Sequence, residues 1–235
     1  MNILKESILL YLANIKLASI FSLAFFISLL IPLAFPLPSF IALGGIFIRS
    51  FDLTPIIILS IVISFLFSLT LFSLAFVLIV MIVKSIKTKT KIGKRDLRNI
   101  ESYTIRVFIL FFIFYIIFIA SYLVSHLLSD LVALILFIFI FYSPASIILK
   151  DRSIKGAIID NIRYIKSSYG FYYFVLWLFI ALISLLLFDS ILTTLLPNEI
   201  GEYILLIITS LFLLPYLIIF IALAYVRAYP ILRKL

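Results

Sequence analysis

Residues 55–83 read PIIILSIVISFLFSLTLFSLAFVLIVMIV, a run of 29 residues without a charged side chain. About 20 apolar residues are enough for an α-helix to cross the hydrocarbon core of a bilayer. The run is continuously apolar and does not alternate with polar residues, so it predicts a helix and not a strand of a membrane barrel. This stretch places the chain among helical membrane proteins.

Similar apolar runs recur on both sides of this one. Of the 235 residues, 66% are hydrophobic and 12% are charged, whereas soluble chains are about 45–50% apolar and about 25% charged. The composition therefore excludes a soluble globular domain. We expect a single polytopic transmembrane domain over residues 1–235, an all-α six-helix bundle with spans at about 17–35, 55–83, 107–124, 131–149, 171–188 and 204–225.

The basic residues give an independent indication of the six spans. With a cytoplasmic amino terminus, 18 of the 19 Lys and Arg residues fall in segments 1–16, 84–106, 150–170 and 226–235, and only Arg49 falls outside them. Basic residues in short loops stay on the cytoplasmic side of a membrane. We therefore expect a multi-pass protein of the cell membrane with both termini in the cytoplasm.

The net charge of +9 could indicate either nucleic acid or lipid as a partner. Cations beside membrane spans set the topology and attract anionic headgroups, each by about 1 kcal/mol near the surface. We favour anionic lipids on the cytoplasmic side and expect nucleic acid only as a transported cargo. The predicted headgroup contacts are Lys84, Lys87, Lys89, Lys91, Lys94, Arg95, Arg98, Lys155, Arg163 and Lys166.

Two shorter segments have helical periodicity without the length to span. In residues 152–168 one face is a stripe formed by Ile154, Ile158, Ile162 and Ile165. The opposite face is polar and comprises Lys155, Asp160, Arg163, Lys166 and Ser167. The amino-terminal segment has a similar apolar stripe of Leu4, Ile8, Leu12 and Ile15. Both patterns predict cytoplasmic amphipathic helices that lie in the headgroup layer.

A family resemblance is concentrated in Tyr142–Trp177, which reads YSPASIILKDRSIKGAIIDNIRYIKSSYGFYYFVLW. A proline near the end of one span is followed by a charged segment, an amphipathic helix and an aromatic-led span. This arrangement resembles the polytopic proteins grouped with the membrane domain of glycerophosphodiester phosphodiesterases and the YciC-like six-span proteins. The resemblance implies the six-span layout. It carries over no functional residue, and it does not imply phosphodiesterase activity, which belongs to a separate soluble domain.

The residue types that metal, redox and nucleophilic sites require are scarce. The chain has no cysteine and one histidine, so zinc, haem and iron–sulfur sites would lack ligands. The chain contains no G-x-S-x-G motif, which would indicate the nucleophile elbow of a hydrolase. We expect no cofactor, no metal and no catalytic residue. A weak candidate for an outer polar site is the pair His126 and Asp130, for which we favour the interpretation as a polar hairpin tip at the water boundary.

Three patterns predict structural roles in the membrane. Aromatic residues near the span ends predict an interfacial belt of Tyr103, Tyr122, Tyr142, Tyr169, Tyr172, Tyr173, Trp177 and Tyr225. Small residues on one face of the second span predict close helix packing through Ser60, Ser64 and Ser68. Pro215 lies inside the sixth span and predicts a plain kink.

These observations favour a non-enzymatic membrane component, which is a scaffold or a subunit of a membrane or envelope assembly. The alternative is a permease or pore subunit of an exporter or DNA-import machine that works with a cytoplasmic ATPase. The expected partner is a membrane protein or a cytoplasmic ATPase, and the ATPase of the alternative function would dock on segments 84–106 or 152–168.

Overall fold

The computed structural model describes residues 3–34, 40–41, 45–46, 55–88, 94–195 and 198–228. These residues are predominantly helical, and strand β1 (Phe40–Ile41) pairs antiparallel with β2 (Gly45–Ile46). The helices are α1 (Ile3–Ala13), α2 (Ile15–Ala34), α3 (Pro55–Thr88), α4 (Lys94–Val124), α5 (His126–Ile140), α6 (Ser143–Lys150), α7 (Ile154–Ile165), α8 (Ser168–Leu195), α9 (Asn198–Ile208), a π-helical turn (Thr209–Leu213) and α10 (Leu214–Ala228).

Five helical segments in the described residues are long and apolar enough to cross a membrane by themselves. They are Val62–Lys87, Asn99–Val124, Leu128–Lys150, Ser168–Leu192 and Tyr203–Arg227. Helices α1 and α2 pass the same test together, although they are bent by 87° relative to each other. The predicted class of helical, multi-pass membrane protein is confirmed at this level, with five candidate spans or six if the bent pair is counted.

The corner between α1 and α2 is built around Asn14. Its backbone N–H donates to the Tyr11 carbonyl at 3.1 Å, and its side-chain Nδ2 donates to the Leu10 carbonyl at 2.9 Å. Helix α1 then packs against α10, where the Tyr11 and Tyr216 rings lie 6.1 Å apart. The predicted apolar stripe is divided: Leu4 and Ile15 pack against the core, whereas Ile8 and Leu12 are exposed. Ile8 and Leu12 are the part of the stripe available to a bilayer.

Two of the predicted spans are interrupted. The fourth is divided into α5 and α6 by a turn at Phe141 and Tyr142. In the last, the N–H of Leu214 donates to the Thr209 carbonyl, which is the hydrogen bond of a π-helical turn. Pro215 follows directly, and a proline ring displaces the carbonyl four residues before it. The prediction of a plain kink at Pro215 is therefore incomplete, since a π-helical turn precedes the proline.

A reciprocal pair of serines joins α2 to α3. Ser28 Oγ donates to the Ser68 carbonyl at 2.9 Å, and Ser68 Oγ donates to the Ser28 carbonyl at 2.7 Å. The packing role predicted for the serine face of this span is confirmed for Ser68, and Ser64 is buried as well. The side chain of Ser60 lies outside the described residues.

We expect the double change Ser28→Ala/Ser68→Ala to lower the free energy of unfolding by about 0.6–1.7 kcal/mol, because hydrogen bonds between membrane helices contribute in this range. Thermal unfolding in one detergent, followed by circular dichroism, measures the change. Ser22→Ala is the matched control, because Ser22 is buried but bonds the Ala18 carbonyl of its own helix. Equal stability of the double variant and the Ser22→Ala protein would contradict the interhelical role.

Many of the buried residues lie at the end of the bundle that carries most of the described cations, which we call the basic end. It contains the ends of α3 and α10, the start of α4, and helices α6 and α7. Its core is formed by fully buried side chains that include Ile79, Tyr103, Tyr142, Ile147, Ile148, Leu223 and Tyr225. Polar side chains lie inside this apolar core, and they form the candidate site.

Candidate functional site

Helices α6 and α7 form a short helical hairpin that brings polar side chains into the core. Pro144 lies in the first turn of α6, where the missing N–H of a proline costs no helical hydrogen bond. Helix α6 is followed by its C-cap residue Asp151, whose φ of 52° is the left-handed conformation that asparagine and aspartate tolerate better than other residues with side chains. Ser153 then caps α7, since its Oγ accepts from the Gly156 N–H at 3.3 Å.

Asn161 stabilises the break between α5 and α6. Its Oδ1 accepts from the Tyr142 N–H at 2.8 Å, and its Nδ2 donates to the carbonyls of Ile138 and Phe139 at 2.9 and 2.6 Å. The turn removes these backbone groups from regular helical bonding, and unsatisfied backbone groups inside a membrane are unfavourable. One buried amide therefore satisfies three of them and fixes α7 to the break.

Asp160 is the centre of the buried polar cluster, which we define as Ser146, Lys150, Arg152, Asp160 and Tyr225. Arg152 approaches this cluster from the surface, with 52% of its side chain exposed. Asp160 is 5% exposed although it carries a carboxylate. The Tyr225 hydroxyl donates to Ser146 Oγ at 2.8 Å, and both hydroxyls lie 3.4 Å from Asp160 Oδ2. Three helices, α6, α7 and α10, meet through these three side chains.

Two cations balance the charge of Asp160. Arg152 Nε lies 3.1 Å from Asp160 Oδ2, and Lys150 Nζ lies 3.8 Å from the same oxygen. Lys150 Nζ also lies 5.3 Å from the centre of the Tyr225 ring, within the range of a cation–π contact. A buried carboxylate is tolerated when it is paired and hydrogen-bonded in this way.

The burial of Asp160 corrects the interpretation of α7 as a simple interfacial helix. Asp160 was predicted on the outward polar face, but the buried residues of α7 are Ala157, Asp160, Asn161 and Tyr164. The predicted stripe of four isoleucines is only half-buried. Hydrogen-bond partners on α5, α6 and α10 outweigh the cost of removing the carboxylate and the amide from water.

Three tyrosines of the predicted aromatic belt belong to this core instead. Tyr103, Tyr142 and Tyr225 are almost completely buried. The Tyr142 hydroxyl donates to the Gly170 carbonyl at 2.9 Å, and the Tyr164 hydroxyl donates to the Ala224 carbonyl at 2.6 Å. Buried hydroxyls with internal acceptors hold helices together, whereas belt residues remain at the lipid–water boundary. Tyr169 and Tyr172 are exposed, as a belt requires.

No family model, curated protein or solved structure matches this chain. The resemblance to the phosphodiesterase membrane-domain and YciC-like group stays a prediction. The site must therefore be interpreted from its own geometry.

Arg106 attaches α4 to the hairpin turn. Its Nη1 donates to the Arg152 carbonyl at 2.9 Å, and its Nη2 donates to Asp151 Oδ1 at 2.7 Å. The guanidinium also lies 5.1 Å from the centre of the Tyr103 ring. Arg106 thereby holds the left-handed residue in place from a neighbouring helix.

Glu6 joins the amino terminus to the same end of the bundle. Its carboxylate accepts hydrogen bonds from Lys87 and Arg227, so α1, α3 and α10 meet at one group. Burial would raise the pKa of Glu6, but the hydrogen bonds from Lys87 and Arg227 outweigh it and hold the pKa below its ordinary value of 4.5. Because the folded state has the lower pKa, the contact stabilises the fold near neutral pH and is lost as the pH falls below about 4.5.

The predicted headgroup contacts fall into two groups. Lys155, Arg163 and Lys166 are exposed on α7, as headgroup contacts require. Lys84 instead directs its Nζ to the Tyr103 hydroxyl at 3.4 Å, and Lys87 bonds Glu6. Residues Lys89 and Lys91 lie outside the described part of the chain, as do the side chains of Lys94, Arg95 and Arg98.

The structure describes only one side chain of the predicted outer polar site. Asp130 is exposed on α5, and the side chain of His126 is not among the described ones. Within the described residues, no group of three or more His, Asp or Glu side chains could hold a metal ion. Among the described residues, the candidate site is thus the buried polar cluster at the basic end.

The geometry of this cluster suits positioning better than catalysis. A nucleophilic serine needs an adjacent base and access to substrate. Ser146 is completely buried, and its oxygen accepts from Tyr225 while Asp160 is paired with two cations. The cluster can fix the position of α7 and the cations on its outer face.

Proposed function

We propose that this chain is a non-enzymatic, six-span component of the cell membrane that acts as a scaffold or a subunit of a membrane or envelope assembly. The observation that carries the proposal is the buried polar cluster, which fixes α7 against α6 and α10. Its bonds stabilise a rigid basic end. In this proposal both termini lie in the cytoplasm and the basic end of the bundle faces it.

The outer face of α7 supplies the contact with anionic lipid. Lys155, Arg163 and Lys166 are exposed there, next to Ile159, which is 40% exposed. Exposed cations beside an exposed apolar side chain suit the headgroup layer, where each cation contributes about 1 kcal/mol. A helix that the core holds in place keeps these charges in a fixed arrangement.

We expect the triple change Lys155→Gln/Arg163→Gln/Lys166→Gln to abolish most of the preference for anionic lipid. Native mass spectrometry of protein released from nanodiscs of mixed anionic and zwitterionic phospholipid counts the retained lipids. Wild-type protein should retain anionic lipid above its bulk fraction, and less so at high salt, since salt screens exposed charges.

The control for this experiment is Ser125→Gln/Asp130→Gln/Thr194→Gln, which changes three exposed residues away from α7. It should retain the wild-type preference. The same lipid ratio in the wild-type and α7-variant proteins would refute the headgroup contact.

The proposed topology predicts which single cysteines react in intact cells, because the chain has none of its own. Lys155→Cys should be protected from a membrane-impermeant thiol reagent until the cells are permeabilised. Ser125→Cys, which is exposed at the start of α5, should react at once. Labelling of Lys155→Cys from outside would reverse the orientation.

The two interrupted spans favour a second function, a permease or pore subunit. Transporters often build their substrate sites at irregular helices near the middle of the membrane. The π-helical turn and the α5–α6 break are irregular segments within two of the candidate spans. Purification from native membranes separates the two functions: a stoichiometric partner that hydrolyses nucleotide supports the permease, and a stable complex with integral membrane proteins but no nucleotide hydrolysis supports the scaffold.

A further inference from the structure

An apolar cleft of about 510 Å³ lies between the helices of the bundle. Side chains of α3, α4, α5, α6, α8, the π-helical turn and α10 line it. Its volume falls within the range of about 300–1,000 Å³ that is typical of sites for small molecules. Along the last span it extends from Thr209 to Ile221, which is about 18 Å of helix. The cleft is therefore long and hydrocarbon-like.

The cleft opens toward the bilayer between α5 and α8. Leu134 and Leu182 line it, and they are 55% and 44% exposed. Both belong to candidate membrane spans. In a membrane, the molecules that meet this opening are lipids.

One side chain that lines the cleft carries a polar atom without a partner. Thr209 lines the cleft and is 3% exposed, and its Oγ1 has no hydrogen-bond acceptor or donor among the described residues. A helical threonine usually bonds a carbonyl one turn earlier in its own helix. Thr209 begins the π-helical turn and makes no such bond. A hydroxyl in apolar surroundings without a partner is unfavourable, so it indicates a ligand with a hydrogen-bond acceptor.

We propose that the cleft binds one hydrocarbon chain of a bilayer lipid, and that Thr209 Oγ1 donates a hydrogen bond to an acyl carbonyl of that lipid. Water suits the site less well, because a buried water needs about two to four polar partners and the other lining side chains are apolar or, as in Trp177, already bonded. The site is separate from the headgroup contacts on α7, and neither depends on the other.

Trp177 provides a direct reporter of occupancy. It is the single tryptophan of the chain, and it lines the cleft. Full-length protein in nanodiscs whose phospholipids carry bromine on the acyl chain should show strong quenching of its fluorescence. Ala133→Phe, which fills the cleft from α5, should remove most of the quenching. Ala120→Phe adds the same volume at an exposed position of α4 outside the cleft and should leave the quenching unchanged.

The carbonyl contact is tested with two brominated lipids, a diacyl ester and its dialkyl ether analogue without carbonyl groups. At limiting lipid fraction the ester should bind about fivefold better, as one neutral hydrogen bond of about 1 kcal/mol implies. Thr209→Val keeps the volume and removes the hydroxyl, so the two lipids should then quench equally. Undiminished quenching in Ala133→Phe would overturn the cleft as the binding site, and equal binding of ester and ether by wild-type protein would overturn the role of Thr209.

Discussion

Asp160→Ala should lower the free energy of unfolding by about 3–5 kcal/mol, the usual cost of breaking a buried ion pair from one side. The change removes the acceptor that Ser146 and Tyr225 face, and it removes the negative charge that balances Lys150 inside the bundle. Asp160→Asn keeps the shape and part of the hydrogen bonding, so its loss should be smaller. Chemical unfolding in one detergent, followed by circular dichroism, ranks the variants.

Asp130→Ala is the control, because Asp130 is an exposed aspartate on α5. Its effect should stay within about 0.5 kcal/mol, as for most surface substitutions. If the Asp160 and Asp130 variants unfold alike, the polar cluster does not hold the hairpin in place. A double-mutant cycle that combines Asp160→Ala with Arg152→Ala separates the energy of the ion pair from that of the hydroxyl contacts.

The membrane helices were the most predictable part of the fold. Helix α2 covers residues 15–34 and α3 covers 55–88, close to the predicted spans of 17–35 and 55–83. Hydrocarbon thickness sets a minimum length that an apolar run reveals directly. The start of α4 at Lys94 was missed because hydropathy detects only the membrane-embedded part of a helix, and this helix continues into a basic segment.

The polar cluster was missed for a different reason. Asp160 contacts Ser146 and Tyr225, which lie 14 and 65 residues away in the chain, and no local pattern encodes such contacts. A signal was nevertheless present in α7. Positions 157, 160, 161 and 164 recur at helical spacing and define a second face beside the isoleucine stripe. Their small and polar side chains made that face look like a solvent-facing one.

The break between α5 and α6 was hidden by the same kind of distant contact. Residues 131–149 read as one span because they contain no charged side chain, although Tyr142, Ser143 and Pro144 interrupt the apolar run. Asn161 makes the break possible from another helix by bonding the backbone groups that it exposes. Composition alone cannot show which buried amide reaches which backbone group.

Gly170→Ala should lower the free energy of unfolding by about 3 kcal/mol, because overpacking a rigid core costs about 1–3 kcal/mol and occasionally more. A Cβ at Gly170 would lie 1.9 Å from the Tyr164 carbonyl oxygen and 2.6 Å from its carbon. The backbone between Tyr164 and Gly170 cannot move apart easily. Ser167 Oγ donates to the Tyr164 carbonyl at 2.5 Å and accepts from the Gly170 N–H at 3.1 Å.

Gly201→Ala is the same chemical change, but it should raise the free energy of unfolding. Its added Cβ would lie 3.5 Å or more from its neighbours, which is ordinary contact, and alanine favours a helix over glycine by about 0.5–1 kcal/mol. Unfolding temperature and membrane yield, measured side by side, compare the two variants. A Gly170→Ala protein as stable as Gly201→Ala would mean that α8 can move away from the end of α7. In that case the Tyr142 hydroxyl, which donates to the Gly170 carbonyl, could not hold α8 at a fixed distance from the turn between α5 and α6.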